Sequence, residues 1–167
     1  MTSELYLRRK WTLRAYDKQV VFVKRSNERP EHVVMKALIW ALYLPEYPDL
    51  IVEFPVGDRY KPDVVSLDEQ GKPRFWGEAG QVGAAKIRSL ARRYRSTHFV
   101  MGKWDTRLDP FIELVSGAIQ GVKRSAPFDL IGFPDDSVER FINEQGQIHI
   151  RREDVTWVRL DALSIPA

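Results

Sequence analysis

The sequence predicts one α/β domain, ordered as a helix, three strands, a helix and a strand, with a β-hairpin in front and an α/β extension behind. Three observations predict it. Runs rich in β-branched and aromatic residues are interleaved with stretches of helical apolar spacing. Clusters of Gly, Pro and Asp punctuate these runs at short intervals. The 167 residues are 44% hydrophobic and include five Trp and eight Phe, enough for one core of ordinary size, so residues 1–167 are read as a single domain.

Taken in order, residues 4–16 and 20–23 form two strand-like runs separated by Asp17-Lys18, which predicts an N-terminal hairpin. Pro30 suits a first helical position, and residues 31–44 are apolar almost all round until Pro45, which predicts a helix buried on most sides. Residues 50–54, 63–67 and 73–79 then predict a three-strand meander, with turn chemistry at 68–72 between the last two. Ile87, Leu90, Ala91 and Tyr94 recur at helical spacing, so residues 82–95 predict an amphipathic helix, and residues 97–101 a strand. The remainder predicts a helix over 111–122, a strand at 128–132, a helix opened by Pro134-Asp135-Asp136-Ser137, and strands near 147–151 and 155–160. No internal repeat, linker or low-complexity tract interrupts this order.

Composition narrows the chemistry. Cysteine is absent, which excludes disulfides, thiol nucleophiles and cysteine-held metals, and His32, His98 and His149 are too scattered for a histidine-rich site. Any metal is therefore expected on oxygen ligands. A Gly-rich phosphate loop, a Gly-x-Ser-x-Gly elbow and a His-Glu-x-x-His pair are all missing. The 26 Lys and Arg exceed the 23 Asp and Glu by a net charge of +3, a weak lean toward polyanionic partners. The first ten residues lack the order of a signal peptide and no apolar run is long enough for a bilayer, so the expected location is the cytoplasm, without a membrane partner.

The chemistry-bearing residues lie in the meander. If its second hairpin sets Asp63 opposite Glu78, then Asp63, Val65 and Leu67 share a face with Glu78, Trp76 and Arg74. Like charges a few ångströms apart repel by about 1 kcal/mol or more, and a divalent ion between them resolves the conflict. Carboxylate oxygens favour magnesium or manganese, which also bridge phosphate oxygens. A plainer reading fits the same spacing: Asp63 as a strand-start carboxylate after Pro62, and Glu78 as a solvated residue. Glu31 opens the buried helix as a third candidate ligand, or as an acid that merely complements the helix dipole, worth about 0.3–1 kcal/mol.

Lys61-Pro62-Asp63, a hairpin, Gly77-Glu78-Ala79-Gly80-Gln81 and a basic helix together resemble the PD-(D/E)xK phosphodiesterase superfamily. More narrowly, Pro62-Asp63-Val64-Val65, then Phe75 to Gln81, then Lys86-Ile87-Arg88 resemble the YaeQ family, a likeness that runs from Val20 to about Gly102. The resemblance implies a restriction-endonuclease-like αβββαβ core with a mixed sheet. It implies a metal site of Asp63, Glu78, Glu31 and the backbone carbonyl of Ala79, and a magnesium- or manganese-dependent nuclease. The superfamily's Lys, two residues after the strand Glu, is replaced by Gly80. In-line attack on phosphorus then loses an electrostatic partner worth several kcal/mol. Gln81, positioning water, or Lys86, swinging in from the next helix, are the available substitutes, although Lys86 is equally an ordinary solvated helix lysine.

Arg88, Arg92 and Arg95 fall at i, i+4 and i+7 on that helix, a stripe that suits a DNA or RNA backbone or simply a solvated face. Lys61, Lys72, Arg74, Lys103, Lys123 and Arg124 would extend it if the fold gathers them. Three functions stay open at this point: a metal-dependent phosphodiesterase, a nuclease-fold module that binds without cleaving, and an interaction domain in which Trp104 and Phe111 meet a protein partner.

Overall fold

In the computed structural model, which describes residues 2–160, eight strands and five helices form a mixed α/β fold. A hairpin of β1 (Lys10–Ala15) and β2 (Lys18–Val23) precedes α2 (Pro30–Tyr43). The main sheet has six strands in chain order: β3 (Ile51–Val52), β4 (Val64–Leu67), β5 (Pro73–Ala79), β6 (His98–Trp104), β7 (Phe128–Phe133) and β8 (Thr156–Leu160). β5, β6 and β7 run parallel, joined by α3 (Ala84–Arg93) and α4 (Asp109–Ile119), while the outer pairs are antiparallel. The core order α2-β3-β4-β5-α3-β6 is the expected αβββαβ arrangement, and the sheet is mixed as expected.

Alternation along the parallel strands divides the core into two layers. Trp76, Phe99, Met101, Phe128 and Leu130 face the apolar sides of α3 and α4. Phe75, Ala79, Val100, Ile131 and Phe133 face α2 and the hairpin. α2 lies close on the sheet because two strand residues opposite it are glycines. A Cβ at Gly77 would stand 3.0 Å from Ile39, and one at Gly102 would stand 2.9 Å from Phe133 and 3.2 Å from Ile39. The small residues around Glu78 thus admit a helix side chain, with Ile39 as the approaching group.

Four expectations are corrected. The N-terminal strand begins at Lys10, since α1 (Thr2–Leu7) occupies the start of the predicted run. The strand expected over 50–54 shrinks to Ile51–Val52 because Glu53 turns away with φ +53. The run expected as a strand over 147–151 makes only isolated bridges, Arg14 with Gln147 and Ile142 with Ile148, before a short 3₁₀ turn at Arg152–Asp154. Its apolar alternation is real, but Ile148 and Ile150 insert into the core beneath the hairpin instead of joining the sheet. The helix predicted over 111–122 is α4, and the one opened by Pro134 is the short α5 (Ser137–Phe141). Finally, the ladder shifts by one residue between Ser66 and Leu67, and Arg74 reaches Ser66 at 2.9 Å and Asp49 at 3.1 Å. Arg74 is therefore engaged at the far end of the hairpin from Glu78. Among the described residues, no helix is long and apolar enough to cross a membrane.

Candidate functional site

Asp63 precedes β4, and the pairing of Val64 with Gly77 continues through it, so Asp63 stands opposite Glu78 as expected. Its amide donates to the Gly77 carbonyl at 3.0 Å, and its Oδ2 accepts from the Ala79 amide at 2.9 Å. These bonds tie Asp63 to the C-terminal end of β5. The carboxyl ends of parallel strands are where open α/β sheets bind ligands.

The two carboxylates have different partners. Glu78 is 5% exposed, accepts from Trp76 Nε1 at 2.9 Å through Oε1, and pairs with Lys86 Nζ at 2.8 Å through Oε2. Burial pushes its carboxyl above the usual range, outweighing the Lys86 and Trp76 bonds, and the negative charge of Asp63 adds to the rise. Lys86 is partly buried on the first turn of α3, with its ammonium 4.8 Å from the centre of the Tyr60 ring. Tyr60 belongs to the loop between β3 and β4. That loop is pinned to α3 by Asp58, which pairs with Arg93 and accepts from Tyr94 Oη at 2.6 Å. The Arg93 guanidinium and the Tyr94 hydroxyl hold the Asp58 carboxyl far below its usual range.

Asp63 turns toward α2, where His32 Nε2 lies 3.5 Å from Oδ2. The other ring nitrogen of His32 meets Glu28 Oε2 at 2.7 Å, and Lys36 Nζ reaches the same oxygen at 2.6 Å and also pairs with Glu53. The Asp63 contact raises the His32 pKa despite its burial, and Glu28 assists. Lys36 is 3% exposed; burial alone would depress its ammonium, and Glu28 and Glu53 together hold it above its ordinary value. Glu31 sits partly buried in the first turn of α2, 3.5 Å from Arg29, without joining Asp63 or Glu78. Among the described residues, no three His, Asp or Glu side chains converge as a metal-holding group. In donor type the carboxylates suit magnesium or manganese, since all are oxygen donors, while both oxygens of Glu78 are already bonded to Trp76 and Lys86.

Gly80 has φ +92, a conformation that L side chains rarely adopt, and its amide donates to the Gly102 carbonyl at 3.0 Å. A lysine at this position would therefore be strained by the backbone. Two other lysines flank it: Lys86 on Glu78, and Lys103 on β6, whose Nζ donates to the Gly80 carbonyl at 2.9 Å. Burial lowers the Lys103 pKa. Gln81 is exposed and lines the same cavity as Lys103.

The arginine stripe is exposed but only partly free. Arg88 donates to the Ala118 carbonyl at 3.0 Å, and Arg95 binds back to the Arg92 carbonyl at 3.1 Å. Arg124 does not extend the patch, being 8% exposed and donating to the Ala91 and Tyr94 carbonyls at the end of α3. Sequence reasoning missed Glu28, Lys36 and Glu53, gave His32 no place in the site and took Lys103 only as an extension of the arginine stripe. His32 and Lys36, one turn apart on α2, were the signal for part of it.

No protein-family model matches the sequence, and no curated protein matches it closely. Solved structures do. The YaeQ protein from Pseudomonas syringae superposes with a TM-score of 0.57 at 17% identity, over 81% of this chain and 74% of that one. The YaeQ protein from Xanthomonas axonopodis pv. citri gives 0.54 at 17% identity, over 74% and 72%. At this identity the likeness is one of fold: the chain folds as YaeQ proteins do.

Proposed function

We propose that the chain is a metal-dependent phosphodiesterase acting on DNA or RNA, with its site at the C-terminal end of β5. The observation that carries this reading is the Lys86 ammonium, 2.8 Å from Glu78, the residue that stands opposite Asp63 in the β4–β5 register. It supplies, from α3, the cation that Gly80 does not. Asp63, Glu78, the Ala79 carbonyl and Glu31 are the groups that would hold magnesium or manganese. Such an ion, when bound, polarises a phosphoryl oxygen and lowers the pKa of its water.

The chain's own residues do the rest. Lys86, held by Glu78 and backed by the Tyr60 ring, places positive charge where a pentacovalent phosphate gathers negative charge. Gln81, exposed at the strand end, can hold a water by its amide. The β3–β4 loop, clasped to α3 through Asp58, shields one side of Lys86 from solvent. Arg88, Arg92 and Arg95 are the proposed contacts to the nucleic-acid backbone, with salt-sensitive affinity.

A second reading has its own observation. Both oxygens of Glu78 are already bonded within the protein, to Trp76 and Lys86, so the fold satisfies this charge by itself and suits a module that binds without cleaving. One assay separates the two. Labelled single- and double-stranded DNA and RNA are incubated with wild type and Asp63→Asn in magnesium, manganese or EDTA. Cleavage that needs the metal and falls at least a hundredfold in Asp63→Asn is expected; salt-sensitive binding without cleavage in every lane supports the second reading instead.

A further inference from the structure

Beside the strand-end carboxylates lies a cavity of about 800 Å³, between the start of α2, the ends of β5 and β6 and the start of α4. Its size is in the range of small-ligand sites, roughly 300–1,000 Å³. Four basic residues line it, and three have carboxylate partners. Arg29 meets Glu31 at 3.5 Å, His32 meets Glu28 at 2.7 Å, and Arg107 meets Asp109 at 2.9 Å. The two acids on its rim, Glu28 and Glu31, are thereby engaged as well.

Lys103 is the exception. Its ammonium donates to the Gly80 carbonyl at 2.9 Å and lies 4.4 Å from the centre of the Phe111 ring, with no carboxylate in salt-bridge range among the described residues. A half-buried ammonium without a counter-anion is a binding point for an anion brought from outside. Next to it the wall turns apolar and aromatic, with Met35 and Phe111 buried behind half-buried Trp104 and exposed Leu114, the last at 39%. Flat ligand surfaces gain most against such side chains.

We propose that this cavity binds one nucleotide unit, its phosphate on Lys103 and its base against Trp104 and Leu114. The unit is either a free nucleoside monophosphate or an unpaired nucleotide of a strand. The strand form rests on the phosphodiester reading above and narrows its substrate class to single-stranded nucleic acid; the free form does not depend on it.

The test is calorimetry on the full chain in EDTA, where hydrolysis is suppressed, so failure of the hydrolytic reading leaves the result untouched. AMP is expected to bind at least tenfold more tightly than adenosine, inorganic phosphate or succinate, and Lys103→Met to weaken it at least tenfold while Lys103→Arg retains most of it. A 5′-phosphorylated single strand that binds better than its duplex, through Lys103, identifies the strand form; binding of AMP without that preference identifies the free form. A second measurement needs no variant: AMP is expected to protect Lys103, and no other lysine to the same degree, from reductive methylation read by mass spectrometry. Succinate binding as well as AMP, or Lys103 methylated at the same rate with and without AMP, overturns the proposal.

Discussion

At the scale of single residues, Gly80 stands in a conformation that disfavours any side chain. Gly80 sits at φ +92, so a side chain there is strained before any contact is counted. Gly80→Lys is expected to lower stability by about 1–3 kcal/mol in urea denaturation and to leave any cleavage no faster. A stable, faster Gly80→Lys variant would show that the backbone tolerates the residue and that Lys86 is no substitute. Lys86→Met strips Glu78 of its cation and is expected to cost about 2 kcal/mol, the scale of a hydrogen bond to a charged group. The double change with Glu78→Gln should recover about half of this, because the buried charge goes with its partner; full additivity in the cycle would mean the two side chains do not interact. Asp63 and Glu78 were legible in the sequence because strand alternation and a hairpin register are local rules. The partners that divide them, His32 and Lys86, come from α2 and α3. Which face of the sheet each helix covers is a tertiary fact that no spacing encodes.

Among the elements, the N-terminal hairpin shows how far local signals reach. Its strands were legible from β-branched and aromatic runs, but its turn falls at Tyr16-Asp17, with φ +48 and +63, one residue ahead of the expected Asp17-Lys18. Two positive φ values in a two-residue connection define a turn that favours Asn-Gly. Tyr16→Asn with Asp17→Gly is therefore expected to stabilise the chain by about 1 kcal/mol, read as a raised denaturation midpoint. A lowered midpoint would mean that Tyr16, 58% exposed, contributes more than its strained backbone costs. The segment 147–151 carries the opposite lesson. Its alternation looked like a strand, yet it meets the hairpin through a single bridge at Arg14 and the burial of Ile148 and Ile150, without joining the main sheet. Period-two apolarity reports a half-buried extended chain, and sheet membership depends on a neighbour elsewhere in the sequence.

Across the whole molecule, the two ends of the parallel strands differ in how far their polar groups are satisfied. The N-terminal end is a closed polar network around Asp129, which is fully buried. It accepts from Tyr43 at 2.7 Å and from Arg159 at 2.8 and 3.0 Å, and shares a hydrogen bond with His98 at 2.6 Å. Burial alone would raise the Asp129 carboxyl, but the His98, Arg159 and Tyr43 bonds outweigh it and hold its pKa below the ordinary 3.8. A carboxyl lowered in the folded state contributes stability that is complete above its unfolded pKa and lost as pH falls through its folded one. Wild type should accordingly lose melting temperature steeply between about pH 5 and about pH 2, and Asp129→Asn should lose less over that window while starting about 3 kcal/mol less stable. Equal slopes for the two proteins would remove Asp129 from the acid response.

The C-terminal end is open by contrast, with a glycine at positive φ, a lysine that has no carboxylate partner among the described residues, and two carboxylates opposite one another in the β4–β5 register. The αβββαβ order and the strand-end acids were readable from pattern, whereas the cavity beside them required the helices to be in place. Everything proposed for Asp63 and Glu78 requires a dication to enter beside Lys86. The direct measurement is manganese binding to the isolated protein by electron paramagnetic resonance, in wild type, Asp63→Asn and Glu78→Gln. One bound ion per chain is predicted, weakened at least tenfold by either substitution. Manganese that binds all three proteins alike, or none of them at millimolar concentration, would contradict a metal-dependent site at this strand end.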